Sequence, residues 1–394
     1  MKRIRERLKG WRLARFIERH RYFLFCQKLE RRKRRQRDKK VCRLFEIFSG
    51  EEPFAEVCRK KRNIHVGGAL VICPRGSLMI HLPQVFDFEK NYNESSKVIS
   101  VFRRAVANKT KISYINFERV KWISPACIMV FMAYADLWKL YAPKVQTKTQ
   151  TWAPSVVRAF KEIGFFGMLG FKPPKHVDDN EEGRRYMPII AKNVLVGECT
   201  DVGHVTVDIQ KQIEEFFNIN LDGVRLYDSV TEAISNVYGH AYKSMSMGAL
   251  PFRWWMSVSY DINQAELGVI LFDHGLGIPS TMKNSTKFDV YRQVVNKLGG
   301  DWSEQFRLSV AFERERSKNR GNKSLIAGRG HGCPDMLRLV SRKDQNEIKE
   351  GSRFNVISGR ARYRYEEGVN GSRGHAESLE TKLQGTLIEW RIKL

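Results

Sequence analysis

Hydrophobic and polar positions alternate in short segments through the first half of the chain, and the period changes from one segment to the next. Apolar runs at residues 69–73 and 112–117 predict strands, whereas the spacing across residues 97–106 predicts a helix. Residues 123–140 and 154–168 are also predicted to be helices. This alternation of strands and helices predicts an α/β fold.

A further amphipathic helix is predicted over residues 226–242. Glu232, Asn236 and His240 recur on it at steps of four, which places all three side chains near one face of the helix. Solvated helices often show such spacing. The triplet therefore becomes a candidate site only in combination with two motifs later in the chain.

Two glycine-containing turns complete the pattern. An apolar strand over residues 267–273 ends at Asp273 and is followed by Gly275 and Gly277. A carboxylate at the end of a strand, next to a flexible turn, is well placed to accept a hydrogen bond from a base. Further on, a glycine-rich turn opens a predicted helix, where backbone N–H groups and the helix N-terminus suit phosphate oxygens. The residues of this turn are Gly328, Gly330, His331 and Gly332. The chain has no Gly-x-x-x-x-Gly-Lys-Ser/Thr sequence, which excludes a P-loop.

The N-terminal segment differs from the rest of the chain in its high content of basic residues. Residues 1–40 carry a broken apolar stripe at helical spacing and are predicted to form one or two basic helices. Positive charge is most concentrated in one run of five residues. These are Arg31, Arg32, Lys33, Arg34 and Arg35.

Net charge makes this segment a candidate binding arm. The 394 residues include 69 Lys and Arg against 43 Asp and Glu, a formal charge of +26, and residues 1–63 alone hold 23 basic and 8 acidic side chains. We therefore expect DNA or RNA to bind through residues 1–65, where neutralised phosphates release counterions. The alternatives are anionic lipid, an acidic protein surface, or a solvated tail without a specific partner.

Composition and cysteine usage narrow the class of protein. A chain of this length with 42% hydrophobic residues has apolar material for two or three folded domains. The seven cysteines are scattered singly and are predicted to be reduced thiols in a cytoplasmic protein. Residues 123–142 are the most apolar stretch, but Asp136 and Lys139 interrupt it, so no transmembrane span is expected.

The order of strands and helices over residues 66–171 resembles a STAS-type α/β domain, the fold of anti-sigma-factor antagonists. In that family the turn before the long helix is Asp-Ser-Ser-Gly-Leu, with a phosphorylatable serine in third place. Ala126 stands in that place here. The resemblance therefore implies a structural or partner-binding domain without phospho-switching. Ser124 is predicted to be a helix N-cap, because Pro125 suits a first helical position.

A second domain is expected over residues 186–394, after a polar, proline-containing linker at residues 172–185. Its three motifs, in this order, resemble the N-box, G1 box and G2 box of the GHKL superfamily. This is the ATP-binding fold shared by gyrase B, MutL, heat-shock chaperones, histidine kinases and anti-sigma serine kinases. The resemblance implies a C-terminal α/β sandwich of the Bergerat type, with one mixed or antiparallel sheet covered by helices, and a closing strand that carries Thr386.

Carried over to this chain, the resemblance implies an ATP site with Mg²⁺. Asn236 would coordinate Mg²⁺ between the phosphates, Glu232 would orient or deprotonate the attacking water, and Asp273 would accept from the adenine amino group. Thr386 would support Asp273 through water. The other positions that the resemblance assigns to nucleotide binding are His240, Gly275, Gly277, Ile278, Gly328, Gly330, His331 and Gly332.

An ATP lid is expected at about residues 279–327, between the second and third motifs. The favoured hypothesis is a slowly hydrolysing ATPase whose lid regulates a partner, which is nucleic acid at the basic arm, another protein, or a second copy of the chain. One alternative is an anti-sigma-like regulatory protein related to serine or histidine kinases. Another is a non-hydrolysing, ATP-gated interaction module, and a bacterial phage-defence system would suit either architecture.

A histidine kinase itself is a poorer fit than an ATPase. No dimerisation helix with a phospho-acceptor histidine precedes the ATP motifs. His204 lies in residues 202–209, whose pattern resembles a strand, and it is interpreted as an incidental surface histidine.

Overall fold

The structure is a computed structural model. It describes residues 11–50, 63–139, 149–170, 172–174, 183–194, 202–219, 223–243, 245, 251–283, 301–313, 332–341, 350–368 and 373–394. Over these residues the fold is mixed α/β, with helices and several sheets.

The basic N-terminal segment forms one helix, α1 (Trp11–Ser49), which continues well beyond the predicted end at residue 40. Its last turns are anchored by four buried apolar residues, Val41, Leu44, Phe45 and Phe48. Their spacing of three, four and seven residues places them on one helix face. They join the core of the first α/β segment, which anchors the C-terminal end of α1.

The first α/β segment is built on a four-stranded sheet in the order β1–β2–β3–β5, in which only β3 and β5 pair in parallel. A separate parallel pair joins β4 and β6. The strands are β1 (Ile64–Val66), β2 (Leu70–Cys73), β3 (Ser77–His81), β4 (Val85–Phe86), β5 (Ile112–Asn116) and β6 (Trp122–Ile123). The helices are α2 (Tyr92–Ala107), α3 (Pro125–Lys139), α4 (Pro154–Glu162) and α5 (Phe165–Leu169).

The predicted helix over residues 154–168 is two helices, because the backbone reverses at Gly164 with a φ of 91°. A positive φ of this kind interrupts α-helical geometry and favours glycine.

Helix α3 accounts for the most apolar stretch of the sequence. Thirteen of its residues are buried, and they pack against both α/β segments rather than facing solvent on one side. The Cys127 N–H donates to Ser124 Oγ at 3.3 Å, which confirms Ser124 as the residue that caps this helix. Among the described residues no helix is long and apolar enough to cross a membrane.

The second sheet contains only antiparallel pairs in the described residues, in the order β11–β12–β10–β9–β7, and β8 also pairs with β9. Its strands are β7 (Arg184–Tyr186), β8 (Ile190–Asn193), β9 (Arg253–Asp261), β10 (Glu266–Asp273), β11 (Arg353–Glu366) and β12 (Arg373–Lys393). Strand β7 begins within the predicted linker, so the end of that stretch belongs to the sheet.

The C-terminal half also contains helices. They are α6 (Val202–Phe217), α7 (Gly223–Asn236), α8 (Ile278–Lys283), α9 (Glu304–Glu313) and α10 (Gly332–Asp335), and one π-helical turn (Val237–Ala241) extends α7. The strand pattern assigned to residues 202–209 is wrong, because they begin α6. Ile209, Ile213 and Phe217 recur at steps of four and bury one helix face.

The two faces of the second sheet are buried against different partners. Val269 and Leu271 of β10 lie in a core formed with helices of the C-terminal half, whereas Ile270 and Phe272 lie in a core shared with the first α/β segment. This alternation is the two-residue period of a strand. We call the first side the site face and the second the interdomain face.

The prediction that all seven cysteines are reduced thiols is wrong. Cys42 of α1 is disulfide-bonded, and its partner lies outside the described residues. Free thiols are found at Cys26, Cys73, Cys127 and Cys333.

Candidate functional site

The candidate site is centred on Asp273, the last residue of β10. It lies directly opposite Thr386 of β12 in the antiparallel register. Both side chains project from the site face, and both residues are buried, with exposed fractions of 3% and 5%. The structure therefore brings together two predicted site residues that are more than a hundred positions apart in the sequence.

Burial raises the pKa of the Asp273 carboxyl to about 7, because a low-dielectric environment disfavours the charged form. Hydrogen bonds oppose this shift. The Gly275 N–H donates to Asp273 Oδ1 at 2.7 Å, and the Thr386 side chain and backbone also lower the pKa. Thr386 thus supports the carboxyl directly, where the resemblance implied support through water. Near neutral pH the carboxyl can gain or lose a proton.

The turn after Asp273 packs against the end of the Glu232 helix. The Leu276 N–H donates to the Ala241 carbonyl oxygen at 2.8 Å. A Cβ atom at Gly275 would lie 2.4 Å from that same oxygen. Gly275 is therefore explained by the close approach of two backbones, which ties the first motif to the second.

A serine that the sequence analysis missed links the turn to the closing strand. Ser358 Oγ accepts from the Ile278 N–H at 2.9 Å, donates to the Gly385 carbonyl at 3.1 Å and lies 3.1 Å from Thr386 Oγ1. Ser358 is fully buried on β11. No local motif surrounds it, so only the pairing of β11 with β12 reveals its place. Gly277, the residue before Ile278, has a φ of 87°, a backbone conformation that favours glycine.

Glu232 and Asn236 lie on α7 and contact each other. Asn236 Nδ2 donates to Glu232 Oε1 at 2.8 Å and to the Glu232 carbonyl at 2.9 Å. Both residues are half-buried. Because both contacts use the amide nitrogen, the Asn236 Oδ1 points the other way and is oriented as an acceptor. His240, four residues on, lies in the π-helical turn and is exposed.

The third motif lies partly outside the described residues, which exclude Gly328, Gly330 and His331. Gly332 is the first residue of α10, a helix of only four residues. The segment after this helix packs on α7. The Leu339 N–H donates to Ser229 Oγ at 3.1 Å, and Arg338 pairs with Asp228 at 2.9 Å.

The thiol of Cys333 shows how close this segment comes to the first motif. Burial raises its pKa to about 12, and the charge of Glu232 adds to the effect. The start of α10 therefore lies beside the Glu232 end of the site.

Two buried residues behind the turn were also missed. Tyr242 hydroxyl donates to the Arg253 carbonyl and accepts from the His274 N–H at 3.3 Å. Burial raises the pKa of Tyr242 and lowers that of His274. Both flank predicted site residues in sequence, which was the available signal. Through these two hydrogen bonds Tyr242 joins the turn to Arg253, the first residue of β9.

The donor set bears on which cations could bind. Among the described residues no group of three or more His, Cys, Asp or Glu side chains could hold a metal ion. The carbonyl-type Oδ1 of Asn236 beside a carboxylate suits a hard cation that takes most of its ligands from phosphate and water, as Mg²⁺ does. The residues present therefore fit a phosphate-borne Mg²⁺ and fit a transition metal poorly.

The predicted basic run lies apart from this site. Arg31, Arg32, Lys33, Arg34 and Arg35 are all exposed on α1, which contacts the first α/β segment at its other end. The structure thus separates the basic run on α1 from the described site residues of the C-terminal half, of which Asp273 and Thr386 are buried, Glu232 and Asn236 half-buried and His240 exposed.

Comparison of the sequence with protein-family models finds no match, and comparison with curated protein sequences finds none either.

Proposed function

We propose that the chain binds ATP with Mg²⁺ at the Asp273 site and hydrolyses it slowly, as its resemblance to the GHKL superfamily implies. The observation that carries the proposal is the convergence of separate motifs on one buried carboxyl. The end of the Glu232 helix contacts the turn after Asp273, and Thr386 of the closing strand bonds to Asp273 itself.

Recognition of the base is assigned to Asp273. The exocyclic amino group of adenine is a donor, and a buried carboxylate is a strong acceptor for it. Thr386, with Ser358 behind it, fixes the carboxyl orientation. Gly275, Gly277 and Ile278 shape the turn beside the base.

The phosphate end is assigned to α7 and the third motif. Asn236 Oδ1 would hold the Mg²⁺ that the phosphates carry, which supplies charge neutralisation during phosphoryl transfer. Glu232, held by the Asn236 amide at 2.8 Å, would orient the attacking water and accept its proton. His240, Gly328, Gly330, His331 and Gly332 would line or wrap the phosphates through side chain and backbone N–H groups.

Regulation of a partner is assigned to the predicted lid, residues 279–327. Its described parts include α9, whose Glu304 accepts from the Arg360 N–H on β11. A lid joined to the sheet in this way can pass nucleotide occupancy to other surfaces of the molecule. The partner would be nucleic acid, another protein or a second copy of the chain.

The test is nucleotide binding and ADP release by the purified protein with Mg-ATP. Asp273→Asn should abolish ATP binding, whereas Glu232→Ala should keep binding and lower turnover by about 100-fold or more, because it removes the proton acceptor. Glu215→Ala, an exposed carboxylate on α6, is the matched control and should behave as the parent protein.

Two other outcomes of this test would contradict the proposal in different ways. ATP binding without turnover would favour the ATP-gated interaction module or the kinase-related regulator over the ATPase. Unchanged binding by Asp273→Asn would exclude the site altogether.

A further inference from the structure

The exposed half of α1 is a surface that the nucleotide site does not use. Between residues 18 and 40 every residue is exposed except Cys26, Arg37 and Asp38, which are half-buried. Several large apolar side chains of this segment are exposed to solvent. Tyr22 is 69% and Phe25 is 62% exposed, on a helix whose fixed end lies more than fifteen residues away. Exposed aromatic groups on this scale mark a binding surface.

Three of these side chains lie on one face of the helix. Tyr22, Phe25 and Leu29 are spaced by three and seven residues and share one face. The same face continues into Arg32 and Lys33, which are also exposed. The stretch from first to last spans about 17 Å at 1.5 Å per residue. One face therefore presents an aromatic platform followed by two positive charges.

Charge decides against a second copy of α1 as the occupant. Residues 18–40 hold 11 Lys and Arg against 3 Asp and Glu. A parallel pair of such helices joined along Tyr22, Phe25 and Leu29 would bring Arg32 of each chain together, and in either orientation two helical segments that each carry a net charge of +8 (11 − 3) repel each other. The complementary occupant is a polyanion.

The distribution of apolar residues decides against a membrane surface. A helix that lies in a lipid interface keeps one long apolar face and one polar face. Over residues 18–49, the part of α1 whose side chains the structure describes, the large exposed apolar side chains are confined to residues 22–29, and the five consecutive basic residues from Arg31 to Arg35 surround the whole helix.

We infer that this face of α1 binds single-stranded nucleic acid, with bases stacked on Tyr22 and Phe25 and phosphates at Arg32 and Lys33. Unpaired bases offer free π-faces to aromatic side chains, whereas bases in a duplex are already stacked. The inference names the partner that the proposed function leaves open, and it rests on that function only for any coupling to ATP.

The experiment is fluorescence anisotropy of the full-length protein with labelled oligouridine, oligodeoxythymidine and a matched duplex, in the absence of nucleotide. We expect a single strand to bind more tightly than the duplex. Tyr22→Leu with Phe25→Leu keeps apolar side chains and removes the aromatic rings, and should weaken single-strand binding by about tenfold or more. Tyr22→Trp with Phe25→Trp should retain it.

Phe23 supplies the matched control. It is 55% exposed in the same turn but lies about 100° around the helix from Tyr22. Phe23→Leu should therefore leave binding unchanged. Circular dichroism of each variant checks that α1 still forms.

The charged positions have a separate readout. Arg32→Gln with Lys33→Gln should lower the slope of log affinity against log salt by about 1.4, since each single-strand phosphate contact contributes about 0.7. The inference is overturned if the Leu variant binds as the parent, if the duplex is preferred, or if anionic phospholipid vesicles are bound and oligonucleotides are not. Because no nucleotide is present, these outcomes are independent of the Asp273 test.

Discussion

Each face of the six-stranded sheet carries a carboxylate, half-buried on one face and buried on the other, and the two carboxylates are held by different groups. On the interdomain face, Asp136 of α3 pairs with Arg253 at 2.7 Å and accepts from Trp255 Nε1 at 3.0 Å. On the site face, Asp273 is held by backbone and hydroxyl donors. A guanidinium compensates the first charge, and hydrogen bonds stabilise the second.

The difference indicates that Asp136 has a structural role, whereas Asp273 has the properties of a site residue. The Asp136 pair belongs to a set of polar contacts that surround an apolar centre, such as Arg391 with Glu89 at 3.4 Å and the Tyr92 hydroxyl with the Thr381 carbonyl at 2.7 Å. Such a rim fixes how two surfaces meet. A carboxyl whose pKa is raised to about 7 is typical of sites where charge changes during function.

The largest effect should come from the apolar centre of the interdomain face. Phe272 is fully buried and its ring lies 5.9 Å from that of Tyr134. Phe272→Ala should lower the free energy of unfolding by about 3–5 kcal/mol, because it removes a ring and leaves a cavity. Thermal unfolding should remain one transition, since both segments share this core. Two separate transitions would show that the segments unfold independently.

A smaller loss is expected at the rim. Asp136→Ala leaves Arg253 and the Trp255 indole N–H without their acceptor and should cost about 3 kcal/mol in urea unfolding. Asp136→Asn keeps an acceptor oxygen for the indole and removes only the charge, so it should lose less. Equal losses for the two variants would mean that the ion pair carries the whole effect.

A pH dependence of stability is expected on the site face. In the unfolded chain Asp273 ionises near pH 4, whereas in the fold its pKa is about 7. The folded state therefore holds the proton more tightly, and the stabilisation present below pH 4 is lost as the pH rises towards 7. Asp273→Asn should remove this trend, so its free energy of unfolding relative to the parent should rise by about 4 kcal/mol between pH 4 and pH 8.

Unfolding of the parent and Asp273→Asn across pH 4–8 measures that difference directly. A constant gap between them would show that the carboxyl does not titrate differently in the fold. Glu215→Gln, at the exposed carboxylate on α6, controls for general changes in charge.

Much of the secondary structure followed from local pattern. The strand at 267–273, the helix at 226–242 and the apolar helix at 123–140 are all present, with ends that shift by a few residues. Local pattern failed at residues 202–209, too short a window to separate a buried helix stripe from a strand. It also failed at Gly164, where one positive φ divides a helix.

The candidate site was predicted less evenly. Asp273, Gly275 and Thr386 were singled out from motifs and a resemblance, and Asp273 bonds to both of the others. Ser358 and Tyr242 were missed because each acts through a partner distant in sequence. The exposed aromatic face of α1 was missed as well, because the predicted apolar stripe ran through Phe23, which lies about 100° around the helix from Tyr22.

By itself the sequence determined the residue periods, the basic N-terminus and the identity of the polar motifs, because these depend on neighbours within a few positions. Tertiary structure decided which side of each strand is covered, that Asp273 and Thr386 face each other, and that the aromatic residues of α1 stay in water. These outcomes depend on strand register and on packing between segments far apart in the chain, and a change of one residue in register would turn every side chain of a strand to the other face.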